Sequence, residues 1–214
     1  MQAARALVFD FNGTLSHDEP VLFAIYSELF AEQGRPLTED DYFGTLAGNT
    51  EEAIIGGWLG VEGEPLAALV EERIDRYVRR ADGSTIPPPV RDAVRHAAAR
   101  VPVAVVSGAY RREIIPVLER AGLAASVTVL VAADDVGRGK PDPESYLRAL
   151  RALGEGLAPS DVVVFEDTEA GVASARGAGM RCLAVRGTHP DARLAAADRI
   201  VDAIDVDLVR SLVG

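Results

Sequence analysis

The sequence predicts an open α/β fold, a parallel sheet with helices on both faces, into which an all-helical unit is inserted. Three observations carry this. Five short apolar runs lack the alternation of a half-exposed strand, as expected where a parallel sheet buries both faces of its strands. Helical patterns separate the later runs, the rhythm of a chain alternating strand and helix. Between the first and second runs the rhythm stops, and roughly sixty residues show apolar positions at helical spacing with no convincing strand.

The first run is Ala6-Leu7-Val8-Phe9, stopped by Asp10 and Gly13. In the insertion, Val21, Leu22, Ile25, Leu29 and Phe30 form one helical stripe, and Ile54, Ile55, Trp58 and Leu59 a second. Leu66, Leu69, Val70, Ile74, Tyr77 and Val78 form a third. Gly34-Arg35-Pro36 and Gly60-Val61-Glu62-Gly63 punctuate them as turns. The expected crossings are residues 15–19 and 82–87, so the sheet domain is expected at 1–16 and 86–214 and the helical domain at 17–85. Further strands are expected at 103–106, 127–130, 162–165 and 182–185, and helices at 89–100, 111–121, 143–153 and 169–179.

The chain has 214 residues with 33 acidic against 22 basic side chains, a formal net charge of −11. Such a surface repels phosphate backbones and anionic lipid, so neither a nucleic acid nor a membrane is expected as a partner. No apolar run approaches the ~18 residues of a membrane helix, and Asp10 interrupts the only candidate signal-peptide core. The single cysteine, Cys182, excludes an internal disulfide and a multi-cysteine zinc site. A cytoplasmic protein is expected, a monomer, with a dimer left open.

In open parallel sheets ligands bind beyond the carboxyl ends of the strands. The first run leads into Asp10-Phe11-Asn12-Gly13-Thr14, the second into Ser107-Gly108-Ala109 and the fourth into Glu166-Asp167-Thr168. After the third comes Asp134-Asp135-Val136-Gly137-Arg138-Gly139-Lys140-Pro141-Asp142-Pro143. Competing motifs fail on spacing. Gly139-Lys140 is no Walker loop, since the required earlier glycine is Asp134 and Pro141 follows the lysine. Residues 134–145 put Val136 and Arg138 where an EF-hand needs oxygen ligands, and Ser107 lacks both glycines of a nucleophile elbow.

Four segments together resemble the haloacid dehalogenase-like superfamily, in its phosphatase and β-phosphoglucomutase branch. They are Val8-Phe9-Asp10-Phe11-Asn12-Gly13-Thr14-Leu15, Val106-Ser107-Gly108, Gly139-Lys140-Pro141-Asp142-Pro143 and Phe165-Glu166-Asp167-Thr168-Glu169-Ala170-Gly171. They occur in the family's order over nearly the whole chain. The resemblance implies a Rossmann-like catalytic core with a helical cap between the first two motifs. It implies phosphoryl transfer from a small phosphorylated metabolite through an aspartyl-phosphate at Asp10. It implies Mg²⁺ held by the Asp10 carboxylate, the Asn12 carbonyl and Asp167, with Glu166 in support; oxygen ligands of this kind suit Mg²⁺. Lys140 is expected to neutralise Asp10 and the phosphate, and Ser107 and the Gly108 amide to hold a phosphoryl oxygen.

Asn12 departs from the family. Its phosphatases carry an aspartate there, which protonates the leaving group and then activates water. An amide exchanges no proton at neutral pH. Either the enzyme is slow, or another group supplies the proton, or the protein binds phosphate without turnover, or the asparagine was introduced to trap a complex. His17 is the titratable candidate nearest the first motif, with Asp18 and Glu19 beside it. His96, His189, Cys182 and Trp58 read as structural. Segment 46–52 resembles the cap loop that faces the site in β-phosphoglucomutase, where the family places an arginine for a second phosphate and this chain has Glu51. That carboxylate argues against the phosphomutase alternative and toward a neutral or cationic substrate moiety. A phospho-ligand-binding protein that has lost turnover is the other alternative.

Overall fold

The computed structural model describes residues 3–214. They form two compact units, one reaching to His17 and resuming at Gly83, the other Asp18–Asp82.

The first unit is built on a parallel sheet of β1 (Ala6–Phe9), β2 (Val103–Val106), β3 (Val129–Val131), β4 (Val162–Glu166), β5 (Arg181–Val185) and β6 (Arg199–Val201). Their order is β3-β2-β1-β4-β5-β6, so the chain builds outward from β1 in one direction and then, from β4, in the other. The central strands β1, β2 and β4 are buried along their whole length, which accounts for their unbroken apolar character. On one face Ala6, Val8, Ala104, Val106, Val162, Val164, Cys182 and Ala184 form a single cluster with Tyr146, Ala149, Val172 and Ala175. The alternate residues point the other way, and Phe9 and Phe165 stack there with ring centroids 4.8 Å apart.

Helix termini follow local chemistry. In this unit α5 (Pro88–Ala98) starts on a proline. α6 (Arg111–Arg120) and α7 (Glu144–Leu153) follow β2 and β3. α8 (Glu169–Gly177) is capped by Thr168, whose Oγ accepts from the Gly171 N–H at 3.0 Å. The short α9 (Asp191–Leu194) precedes β6. α10 (Val206–Val213) is capped by Asp205, packs on α5, and ends the chain.

The second unit contains α1 (Glu19–Glu32), α2 (Glu39–Asp41), α3 (Gly57–Leu59) and α4 (Gly63–Arg80), with α1 packed on α4. Two π-helical turns, Tyr42–Leu46 and Glu52–Gly56, flank the loop at 47–51. Its core is aromatic, with Tyr26 lying 5.8 Å from Phe30 and 5.7 Å from Tyr42 between centroids. Trp58 stacks on Phe30. Each buried tyrosine hydroxyl finds a carboxylate: Tyr77 donates to Asp18, Tyr42 to Glu19 at 2.8 Å and Tyr26 to Glu51 at 2.9 Å.

The structure corrects the sequence reading in three places. The third strand lies at Val129–Val131 rather than 127–130, because its register is set by pairing Ala104 with Val129 and Val106 with Val131. β6 was not anticipated: it is a three-residue edge strand with Arg199 exposed, too short for an apolar run to show. The second stripe of the insertion is not one regular helix: Ile54 and Ile55 lie in a π-helical turn, and Trp58 and Leu59 in α3. Among the described residues, no helix is long and apolar enough to cross a membrane.

Candidate active site

The strand order reverses at the junction of β1 and β4, the switch point where open α/β sheets hold ligands. Asp10 directly follows β1, Glu166 ends β4 and Asp167 follows it. The Asp10 N–H donates to the Phe165 carbonyl at 2.9 Å, which fixes the two strand ends in register. One oxygen from each of Asp10, Glu166 and Asp167 lies within 4.8 Å of the others, and all three residues are buried.

Lys140 enters this cluster from the loop before α7. Its ammonium donates to Asp10 Oδ1, and to Glu166 Oε1 at 2.5 Å. Burial alone would make Lys140 easier to deprotonate, but the Asp10 and Glu166 carboxylates outweigh it and hold the ammonium well above its ordinary pKa. Asp10 shows the opposite balance. Burial raises its pKa well above the ordinary carboxylate value; Lys140 opposes this, and Glu166 and Asp167 add to it.

Glu166 is fully buried, and its Oε1 also accepts from the Tyr146 hydroxyl at 2.6 Å. Its Oε2 accepts from the Asp167 N–H at 3.1 Å and the Thr168 hydroxyl at 3.2 Å. Gly171 must be bare because a Cβ there would overlap the Glu166 carboxyl group. Asp167 is held by two hydroxyls, Thr14 on Oδ1 at 3.0 Å and Thr188 on Oδ2. Gly13 turns the first loop at φ +74°, and a Cβ there would overlap the Asp167 carboxylate.

Ser107, buried at the end of β2, accepts from the Ala109 N–H at 3.0 Å and reaches Asn12 Oδ1 at 3.5 Å. Gly108 beside it is exposed. The structure thus brings Asp10, Glu166, Asp167 and Lys140 together, with Ser107 joined through Asn12. His17 is exposed, and partial burial lowers its pKa, which disfavours the protonated form that a proton donor needs. Asp18 and Glu19 are committed to Tyr77 and Tyr42. Cys182 is buried, and burial raises its thiol pKa further from reactivity.

Two contributors escaped the sequence reading. Thr188 follows β5, so the rule that polar residues past strand ends line the site would have found it. Tyr146 lies on the apolar face of an amphipathic helix, where only its hydroxyl distinguishes it.

The cluster fits a divalent cation. Three buried carboxylates gather within reach of one another beside the Lys140 ammonium. The donors are hard oxygens, the kind that divalent cations such as Mg²⁺ prefer.

Residues 4–179 match the family model of haloacid dehalogenase-like hydrolases. The chain belongs to this family. It is 32% identical over 198 residues to the validoxylamine A 7'-phosphate phosphatase of Streptomyces hygroscopicus subsp. limoneus, covering 91% of each chain. It is 31% identical over 179 residues to the phosphorylated carbohydrates phosphatase of Thermotoga maritima, covering 82% of each. Among solved structures, CbbY from Rhodobacter sphaeroides in complex with phosphate superimposes with a TM-score of 0.82 at 26% identity, over 96% of both chains. As a haloacid dehalogenase-like hydrolase with phosphatases as relatives, the chain is an enzyme of the phosphoric monoester hydrolase type.

Glu51 changes the reading of the second unit. Its carboxylate is paired with the Arg73 guanidinium, which is 3% exposed, and accepts from Tyr26. Arg73 also lies over the Tyr26 ring, 5.9 Å from its centroid. With its charge matched inside the unit, Glu51 no longer argues for a cationic substrate moiety.

Proposed function

We propose that this hydrolase cleaves the phosphate monoester of a small, polyhydroxylated metabolite through a phosphorylated Asp10, slowly because Asn12 stands where a proton donor is needed. The observation that carries the reading is the Asp10–Lys140–Glu166–Asp167 cluster at the strand switch point. The substrate class rests on the two related phosphatases, whose names specify validoxylamine A 7'-phosphate and phosphorylated carbohydrates.

In this reading an Asp10 carboxylate oxygen forms a bond to phosphorus as the bond to the substrate oxygen breaks. Lys140 opposes the rise in the Asp10 pKa that burial causes and screens the carboxylate from the incoming phosphate. Ser107 and the Gly108 N–H hold a phosphoryl oxygen. The Asp10 carboxylate, the Asn12 carbonyl and Asp167 would hold Mg²⁺, and Glu166 fixes Lys140 beside them. When bound, Mg²⁺ supplies the positive charge that offsets repulsion between carboxylate and phosphate. The leaving oxygen takes its proton from solvent, and water then attacks the phosphorylated Asp10 without a base at position 12. Losing general acid–base help costs about 10²–10⁴ in rate. The unit Asp18–Asp82 acts as the cap that selects substrate.

Phosphate release from a panel of sugar phosphates, with validoxylamine A 7'-phosphate among them, tests the reading. Slow release that needs Mg²⁺ and disappears in Asp10→Asn is the expected result. Release that survives Asp10→Asn contradicts it. A second reading, phosphate binding without turnover, is favoured by Asn12 alone; tight Mg²⁺-dependent binding with no release across the panel would establish it.

A further inference from the structure

We propose that Thr188 is a positioning residue that sets the affinity of the site for Mg²⁺ by fixing the rotation of the Asp167 carboxylate. The inference rests on Asp167 being a metal ligand, as argued above. A carboxylate bonded at one oxygen can still pivot about that bond. Asp167 is bonded at both: Thr14 from the loop after β1 donates to Oδ1, and Thr188 from the loop after β5 donates to Oδ2. Two hydroxyls on different oxygens, from different loops, set the plane of the group.

The Thr188 hydroxyl is itself held in place. Arg186 donates to Asp191 at 2.8–2.9 Å and pairs with Asp202. Its N–H donates to the Val201 carbonyl at 3.0 Å, tying the loop to the end of β6. Arg193 reaches Glu169 in the first turn of α8 and the ring of buried His189, both at 3.2 Å. The loop carrying Thr188 is therefore strapped on one side to β6 and on the other to the helix that begins two residues after Asp167. A Cβ on Gly13 would lie 2.7 Å from Thr188 Oγ1 and 2.0 Å from Asp167 Oδ2, so Thr188 and Asp167 both pack closely against the first loop. Partners that orient a metal ligand typically change metal affinity by about 10–100-fold when removed.

Calorimetric titration of Mg²⁺ into the full chain, compared with Thr188→Val, Thr188→Ser and Asp167→Asn, tests this without relying on turnover. The expected result is a dissociation constant raised at least about 10-fold in Thr188→Val and restored to within about 3-fold in Thr188→Ser. Thr188→Ala takes the place of the valine variant should that fail to fold. Unaltered affinity in the variant lacking the hydroxyl overturns the proposal, as does equal weakening in Thr188→Ser. If Asp167→Asn loses Mg²⁺ while Thr188→Val keeps it, this inference alone fails. If Asp167→Asn binds as the unaltered chain does, the metal reading fails and the inference with it.

Discussion

Lys140 answers to two carboxylates at once, and that double duty explains why one lysine is enough. Glu166, saturated by Tyr146, Thr168 and backbone donors, acts as a fixed post for the ammonium, so its charge stays beside Asp10. Removing one partner of a buried ion pair costs about 3–5 kcal/mol. Lys140→Met should lie near the lower end, about 3 kcal/mol, because Asp10, already pushed above its ordinary pKa by burial, can take up a proton. Urea unfolding in EDTA would show this, and phosphate release should fall by at least about 10²-fold; a stability change under about 1 kcal/mol would contradict the shared role. At this scale the sequence was informative wherever a residue type is costly in its place. A lysine, two adjacent carboxylates and an aspartate at strand ends stand out. Thr188 and Tyr146 did not, since a hydroxyl in a loop or on an apolar stripe is ordinary until its partner is seen.

Among the elements, the seam between α1 and α4 is held outside its aromatic core by two forked ion pairs. Arg76 bonds Glu32 at 2.7 and 3.0 Å, and Glu72 at 2.7 Å, and Arg80 bonds Glu28 at 2.5 and 3.1 Å. These bonds to Arg80 and Arg76 hold Glu28 and Glu32 below their ordinary pKa of 4.5. A group with a lowered folded pKa stabilises the fold above its unfolded value and loses that contribution as pH falls through the folded value. Glu28→Gln with Glu32→Gln should therefore lower the melting temperature by no more than about 4 °C at pH 7. That difference should be constant down to about pH 5 and shrink below 4.5. A difference that grows on acidification would contradict the assignment. Strands buried on both sides were legible because nothing but apolar residues can occupy them. β6 and the start of β3 were not, because edge strands are held by a neighbour's register rather than by their own composition. The π-helical turns were invisible for a related reason: their apolar spacing mimics a helix, and only the backbone hydrogen bonds tell them apart.

For the molecule as a whole, a strongly acidic chain gathers three of its carboxylates at the one point where its sheet changes direction, and supplies a single lysine to meet them. The clustered carboxylates and the membership in a hydrolase family support the proposed phosphoryl transfer assisted by a divalent ion. Asn12 is the one residue at odds with fast turnover. The most direct test is the rate of Mg²⁺-dependent phosphate release by Asn12→Asp set against the chain as it stands, on the same phosphate monoester. A gain of about 10²–10⁴ is expected from restoring a proton donor beside Asp10. Equal rates in the two proteins would contradict it, showing either that the proton comes from elsewhere or that the cluster does not carry the chemistry.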